Sequence, residues 1–249
     1  MSTDPLNIGV SAMEAYDVAM DVSANNIANV GTPGFQADAV EFQNLYAGAV
    51  AARIGTTSAP GGLDPTGGAL NVAINGTGFF LLAGPNGSTT YTRDGNFSVS
   101  ANGFLVDTAS GFTVTGVNGG PIAIPSGASN LSIGSDGTVS ATVNGQATTV
   151  GRVALAAFAN PGGLVQVPGG YIVSANSGNV LTGAPGTAGY GSLVSGFLEG
   201  SNVDLAGEII KLIASQAAYE ANAKSVRTGD QMLQTTVNLI GDDEKTSEA

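Results

Sequence analysis

Two stretches of heptad spacing, one near each end of the chain, constrain this fold more than any other feature. In residues 203–240, Leu205, Ile209, Leu212, Gln216, Tyr219, Ala223, Val226, Asp230, Leu233, Val237 and Ile240 follow alternating steps of four and three. Residues 6–30 repeat the pattern more weakly at Leu6, Val10, Met13, Asp17, Met20, Ala24 and Ile27. Sustained spacing of this kind argues for helices that associate along a seam. Between the two stretches the pattern changes to short alternating runs broken by Gly. The spacing predicts an α+β fold: a coiled-coil stem made from both termini around a central all-β domain with Gly-rich hairpins.

The predicted division follows from those patterns. Residues 1–35 and 200–241 form the helical stem, 36–69 an extended linker or arm, 70–199 the β domain, and 242–249 a polar, frayed tail. Asp4-Pro5 reads as a helix start, with Asp as cap and Pro at the first helical position. Asn25, Asn26 and Asn29 crowd the end of that helix, and Asn tolerates the left-handed conformation that stops helices. Thr32-Pro33-Gly34-Phe35 then reads as a type II turn, with Phe35 as an apolar anchor. In the middle, Asp94-Gly95, Asn102-Gly103, Asp136-Gly137 and Asn144-Gly145 separate short alternating runs, as hairpin turns do. Ser201 or Asn202 is the expected cap of the C-terminal helix.

Composition excludes several kinds of chemistry. The chain has 249 residues, 19 acidic and 7 basic, for a formal charge of −12. Such a balance carries no electrostatic footprint for nucleic acid. Charged residues make up only 10%, against about 25% in an ordinary globular protein. There is no Cys, His or Trp. Disulfides, thiolate metal sites, cysteine nucleophiles and the usual histidine base are therefore all missing. No cofactor, metal site or catalytic residue is expected, and the chain reads as a non-enzyme.

Weaker signals point the same way. Gly76-Thr77-Gly78 lacks the third glycine and the following helix of a dinucleotide loop, so it reads as a turn. Asp94, Asp107 and Asp136 lie near glycines but form no alternating carboxylate ladder, so they read as turn carboxylates rather than calcium ligands. Glycoside chemistry by paired acids would need an aromatic sugar-binding surface, and the chain has only 6 Tyr and no Trp.

Charge also differs between the two helical stretches. No Lys or Arg precedes Arg53, while Lys211, Lys224, Arg227 and Lys245 lie near the C-terminus. Complementary pairing between the stretches, within or between subunits, is the expectation. Gln216 and Asp230 sit at seam positions, where a polar residue either sets register or oligomer order or is simply exposed in a larger assembly. The opening Met-Ser-Thr-Asp-Pro has neither the basic region nor the apolar run of a secretory signal, so any export leaves the N-terminus uncut. No membrane-inserting stretch is expected.

Three segments carry a family resemblance. Met20-Asp21-Val22-Ser23-Ala24-Asn25-Asn26-Ile27-Ala28-Asn29-Val30-Gly31-Thr32-Pro33-Gly34-Phe35 resembles the N-terminal signature of bacterial flagellar axial proteins of the rod and hook. Val72-Ala73-Ile74-Asn75-Gly76-Thr77-Gly78-Phe79-Phe80, continued by Tyr91-Thr92-Arg93-Asp94-Gly95-Asn96-Phe97, is similar to the same family. So is Gly196-Phe197-Leu198-Glu199-Gly200-Ser201-Asn202-Val203-Asp204-Leu205, continued to Asp230-Gln231-Met232-Leu233-Gln234.

The resemblance implies a structural subunit of a hollow axial tube, built helically from copies of the chain, that transmits torque between motor and hook. It implies an inner layer of terminal helices, disordered in the free monomer, and an outer β layer. Its implied partners are neighbouring rod and hook proteins, the rings around the rod, and the flagellar type III export apparatus. Phe42-Gln43-Asn44-Leu45-Tyr46 resembles a short export-gate signal of such substrates. The single β domain favours a rod protein of the distal type in the periplasm-spanning basal body. A short, extracellular hook protein is the alternative, since the segment between Phe35 and Leu70 and the ending Gln234–Ile240 are hook-like. A secreted β-rich adhesin or glycan-active protein is the alternative from another class.

Overall fold

The computed structural model describes residues 5–44, 50–57 and 59–247. Asp4, Leu45, Tyr46 and the last two tail residues lie outside them. The chain resolves into two compact units, one holding residues 1–28, 38–55 and 204–249, the other 29–37 and 56–203.

The first unit contains α1 (Pro5–Ala28), β1 (Asp38–Asn44), β2 (Val50–Thr56) and a helix of 43 residues, Leu205–Ser247, called α2. β1 and β2 form a two-stranded sheet. The Tyr16 and Phe42 rings meet at 5.1 Å, and the Val50 N–H donates to Ser11 Oγ at 3.2 Å, so both strands are tied to α1. These strands occupy the stretch that reads as a linker in sequence. Most of their residues are half-buried or exposed, so no core face imposes an alternating pattern. The helix likewise runs past Gly241 to Ser247, through residues assigned from sequence to a frayed tail. One Gly costs a helix only about 1 kcal/mol, and the Asp, Glu and Lys that follow do not stop it.

The second unit is a β body. In chain order its strands are β3 (Leu63–Pro65), β4 (Val72–Asn75), β5 (Phe79–Ala83), β6 (Thr89–Thr92), β7 (Phe97–Val99), β8 (Leu105–Asp107) and β9 (Thr113–Val114). There follow β10 (Ser129–Ile133), β11 (Thr138–Val143), β12 (Gln146–Arg152), β13 (Leu155–Phe158), β14 (Val165–Val167) and β15 (Gly170–Ile172). β16 (Val180–Gly183), β17 (Ser192–Ser195) and β18 (Phe197–Glu199) complete it. The molecule is thus α+β, with one helix near each end of the described chain and strands between.

β5 lies at the centre of the largest sheet, antiparallel to β6 on one side and to β9 and β13 on the other. Its apolar run is continuous because both its faces are covered. Phe80 and Leu82 enter one cluster with Ile74, Leu105 and Leu155. Phe79 and Leu81 enter another with Tyr91 and Tyr171. Edge-on ring pairs, Phe80–Phe97 at 5.0 Å and Phe79–Phe158 at 5.6 Å, fix the layers. β11 and β12 join through Asn144 and Gly145, with φ of 50° and 81°, the paired positive values a two-residue connection of twisted strands requires. β4 pairs with β17 and β3 with β18, so strands remote in sequence close the body.

Candidate functional site

α1 and α2 meet through small side chains. On α1 the buried stripe is Gly9, Ala12, Ala15, Ala19, Val22 and Asn26. On α2 the covered positions are Glu208, Leu212, Ser215, Ala218, Asn222, Val226 and Gly229. Glycine lets the backbones approach: a Cβ on Gly9 would sit 2.5 Å from Val226 Cγ2, and one on Gly229 would sit 2.9 Å from Leu6 Cδ2. Both stripes advance by steps of three or four residues, and most of their positions lie one residue before the apolar seam read from sequence, with Leu212 and Val226 common to both.

That shift decides where the seam residues stand. Leu212 and Val226 are half-buried, and so are Leu6, Met13, Met20 and Ile27 on α1. Val10, Leu205, Ile209, Gln216, Tyr219, Leu233 and Val237 are exposed in the single chain. Ile240 lies beyond the residues whose side chains are described. The exposed set widens further with Ile210 at 67% and Ile213 at 61%. The apolar stripe of α2 therefore stays largely open, while the intrachain contact takes its smaller, more polar neighbours. Periodicity found the spacing but not the phase, because Ala, Ser and Gly carry too little apolar signal to mark a contact face.

A polar lock holds one end of this helix pair. Asn26, fully buried, accepts the Asp38 N–H on Oδ1 at 3.0 Å and donates from Nδ2 to the Asp38 carbonyl at 2.8 Å. It therefore pairs with β1 as a strand neighbour would. Asn26 and Ser23 also hydrogen-bond the buried Glu208 carboxylate, which Lys211 Nζ meets at 2.7 Å. Burial pushes the Glu208 carboxyl upward, but these hydrogen bonds and the Lys211 charge outweigh it and hold the group below its ordinary value. The acidic residues of α1, Glu14, Asp17 and Asp21, are exposed, and among the described residues no ion pair joins α1 to α2. Within the chain, the charge pairing expected of the two helices is replaced by an amide–carboxylate contact.

The β body has its own polar centre. Arg93 and Glu199 are both buried, and Arg93 Nε donates to the two carboxylate oxygens at 2.8 and 2.7 Å. Its other nitrogens donate to the carbonyls of Ile74, Gly76 and Gly78. The Gly61 N–H donates to Glu199 Oε1 at 3.1 Å. Burial pushes the Glu199 carboxyl up, against the pull of Arg93 and Gly61. Two of the three resembling segments thus meet at one ion pair.

The turn after α1 belongs to the same body. The Phe35 N–H donates to the Thr32 carbonyl at 3.3 Å, and Gly34 takes φ +66° against the backbone of Arg93 and Asp94. The Gly34 N–H donates to the Glu199 carbonyl at 2.7 Å, and the Gln36 N–H to the Tyr171 hydroxyl at 3.1 Å. Phe35 is buried; Thr32 and Asn25 are exposed; Pro33 and Asn29 are half-buried. Asn202 does not cap α2, which starts after Asp204. It accepts the Ala37 N–H at 2.6 Å and donates to the carbonyls of Thr57 and Ala59. Neither Glu199 nor Asn202 stands out in sequence as a site residue, since one buried acid or amide has no periodic signature.

Among the described residues no cluster of three metal-capable side chains occurs, and no helix is long and apolar enough to cross a membrane.

Comparison with known proteins places three segments in order. Residues 6–36 match a flagella basal body rod protein model, 73–141 the flagellar hook protein FlgE/F/G D1 domain, and 194–239 the flagellar basal body rod FlgEFG protein C-terminal. The flagellar basal-body rod protein FlgG of Bacillus subtilis is 38% identical over 257 residues, covering 93% of this chain and 97% of that protein. FlgG of Caulobacter vibrioides is 36% identical, covering 94% and 98%. The rod protein FlgF of the same organism is 32% identical, covering 95% and 97%.

Proposed function

The chain belongs to the flagellar basal-body rod protein family and is a structural subunit, not an enzyme, and we propose that it builds the rod by packing the open faces of its helices against other copies of itself. It functions in the flagellar basal body alongside other rod and hook components. A hook subunit is not favoured, because relatives of 36–38% identity over nearly the whole chain are rod proteins. The distal type is the member we assign, since within Caulobacter vibrioides identity to FlgG, 36%, exceeds that to FlgF, 32%, at similar coverage.

One observation carries the packing: α1 and α2 meet through Gly, Ala and Ser while the large apolar residues of α2 stay open. Burying a Leu, Ile or Val side chain contributes about 1.5–3 kcal/mol. About six such residues contribute roughly 9–18 kcal/mol, enough to cover an association cost of roughly 4–15 kcal/mol. Ile209, Ile210, Ile213, Leu233 and Val237 point to more than one side of α2, which suits contact with several neighbours in a helical tube. In this reading the helices form a coiled-coil inner layer around a channel, and the β body, with its Gly-rich hairpins, the outer layer facing the rings. Gln216 and Asp230, exposed in the single chain, set register between copies, and the acids of α1 meet the bases of α2 across subunits. The tube spans the periplasm and transmits torque. The subunit leaves the cell through the flagellar type III apparatus with its N-terminus uncut, and the segment at Phe42 is the candidate gate signal.

The double substitution Leu233→Asp with Val237→Asp tests this. The purified variant is expected to keep the circular dichroism of its β body and to stay monomeric where the parent chain forms filaments. In a strain lacking the parent gene it is expected not to restore motility. Filaments of unchanged length would overturn the packing.

A further inference from the structure

α2 carries two separate groups of exposed aliphatic side chains, one toward each end. Ile210 and Ile213 form the first, 67% and 61% exposed, and Leu233 and Val237 the second, 53% and 67% exposed. Along the side of the first group the surface then turns to Ala217, Ala221, Lys224 and Thr228, all exposed. Each end therefore holds its own apolar patch.

The two patches stand on different sides of the helix. An α-helix turns by about 100° per residue. Ile210 and Ile213 are thus on the side opposite Glu208 and Ser215, which α1 covers. Leu233 and Val237 follow Val226 by seven and eleven residues, spacings that return to the side facing α1. α1 does not cover them. It starts at Pro5, and Leu6 already lies beside Gly229, while α2 continues to Ser247. The second patch therefore prolongs the intrachain contact past the end of α1.

Two such patches at opposite ends of one helix satisfy each other between copies. If the second patch paired with itself, a closed two-fold dimer would form and the first patch would stay open. If it meets the first patch of another copy, the contact is head-to-tail, uses both patches and repeats without closing on itself. Because the patches face opposite ways, neighbouring copies need only a shift along the helix, with no inversion.

We propose that Leu233 and Val237 of one copy seat on Ile210 and Ile213 of a second copy. This rests on the reading that the chain assembles with itself, and adds which surfaces meet and in what direction. Leu233 lies 23 residues after Ile210, and Val237 lies 24 after Ile213. At 1.5 Å per residue, successive helices are then offset by about 35 Å. Parallel neighbours with that offset bring Val237 against Ile213, and Leu233 against Ile210.

The chain has no Cys, so introduced thiols report a single contact. Ile213→Cys and Val237→Cys are placed in separate full-length chains with different tags, which are mixed, assembled and oxidised. A disulfide needs the two Cα atoms within about 7 Å. We expect a cross-linked pair holding one chain of each tag, and loss of that product when either variant assembles alone. Leu233→Cys mixed with Ile210→Cys should behave alike. Filaments that form without the mixed cross-link in both pairings overturn the head-to-tail contact and leave self-assembly standing. Cross-linking of Val237→Cys to itself in place of the mixed product overturns it in favour of two-fold pairing. Failure of the parent chain to form filaments overturns the underlying reading, and this inference with it.

Discussion

The β body and the helical unit handle large apolar side chains in opposite ways. The body hides Ile74, Phe80, Leu82, Leu105 and Leu155 almost completely, and buries an Arg–Glu pair besides. The helical unit buries Gly9, Ala12, Ala15 and Ala19 and leaves Ile210, Ile213, Met232 and Val237 mostly in solvent. One unit closes its core within a single chain. The other closes only a narrow contact and leaves its main apolar stripe in solvent.

Substitutions can break this contrast, and the largest effect is expected in the body. Glu199→Ala leaves the Arg93 guanidinium buried without its counter-charge, and loss of one partner of a buried pair costs about 3–5 kcal/mol. Urea unfolding followed by tyrosine fluorescence should show the midpoint fall accordingly. A midpoint shift near zero would show that the body is not closed around this pair.

Acidity should separate the units by sign. The folded Asp94 carboxyl titrates at about 6 against an ordinary 3.8, so the folded state holds its proton more tightly. Stability contributed by the protonated form is therefore lost as pH rises from 3.8 through 6. At pH 7–8 Asp94→Asn is expected to stabilise the body by on the order of 2–3 kcal/mol, an effect that disappears near pH 4. Glu208 behaves oppositely. Its folded value lies below the ordinary 4.5, so its contribution is complete above 4.5 and is lost as pH falls through the folded value. Helix content measured by circular dichroism in Glu208→Gln should differ from the parent at pH 7 and converge with it in acid.

A smaller effect is expected at the turn after α1. Gly34→Ala forces a side chain into φ +66° against the backbone of Asp94, at a cost of about 1–3 kcal/mol. Gly31→Ala, where nothing lies within 4 Å, is the control and should be close to neutral in thermal unfolding.

The smallest effect on the single chain is expected on the open face of α2. Ile210→Asp with Ile213→Asp should change monomer stability by no more than about 0.5 kcal/mol, since both positions are exposed. The same pair should abolish filament formation, measured by sedimentation. A large loss of monomer stability would instead show that these residues are already covered within the chain, and would remove the contrast.

Several elements were legible without coordinates. α1 ends within two residues of the run of Asn side chains, and α2 starts at Leu205, its first heptad residue. The alternating run at residues 138–143 is β11, and the continuous apolar run at 79–82 lies in β5. Strands β1 and β2 were not legible, because weakly buried strands carry no period. The assignments of Glu199, Asn202 and Glu208 were hidden too, since each depends on partners scores of residues away.

By itself the sequence determined that a helix lies near each end, that strands fill the middle, and that the chain belongs with flagellar axial proteins. These follow from local spacing and from segments read whole. Only the tertiary structure decided which face of each helix meets its partner. Two candidate stripes run side by side on α1 and α2, about 100° apart on a helix of 3.6 residues per turn. The apolar stripe has the stronger signal, but Gly and Ala permit the closer backbone approach, and Asn26 and Glu208 lock that phase. Close packing and one polar lock chose the weaker stripe within the chain, and so left the stronger one exposed.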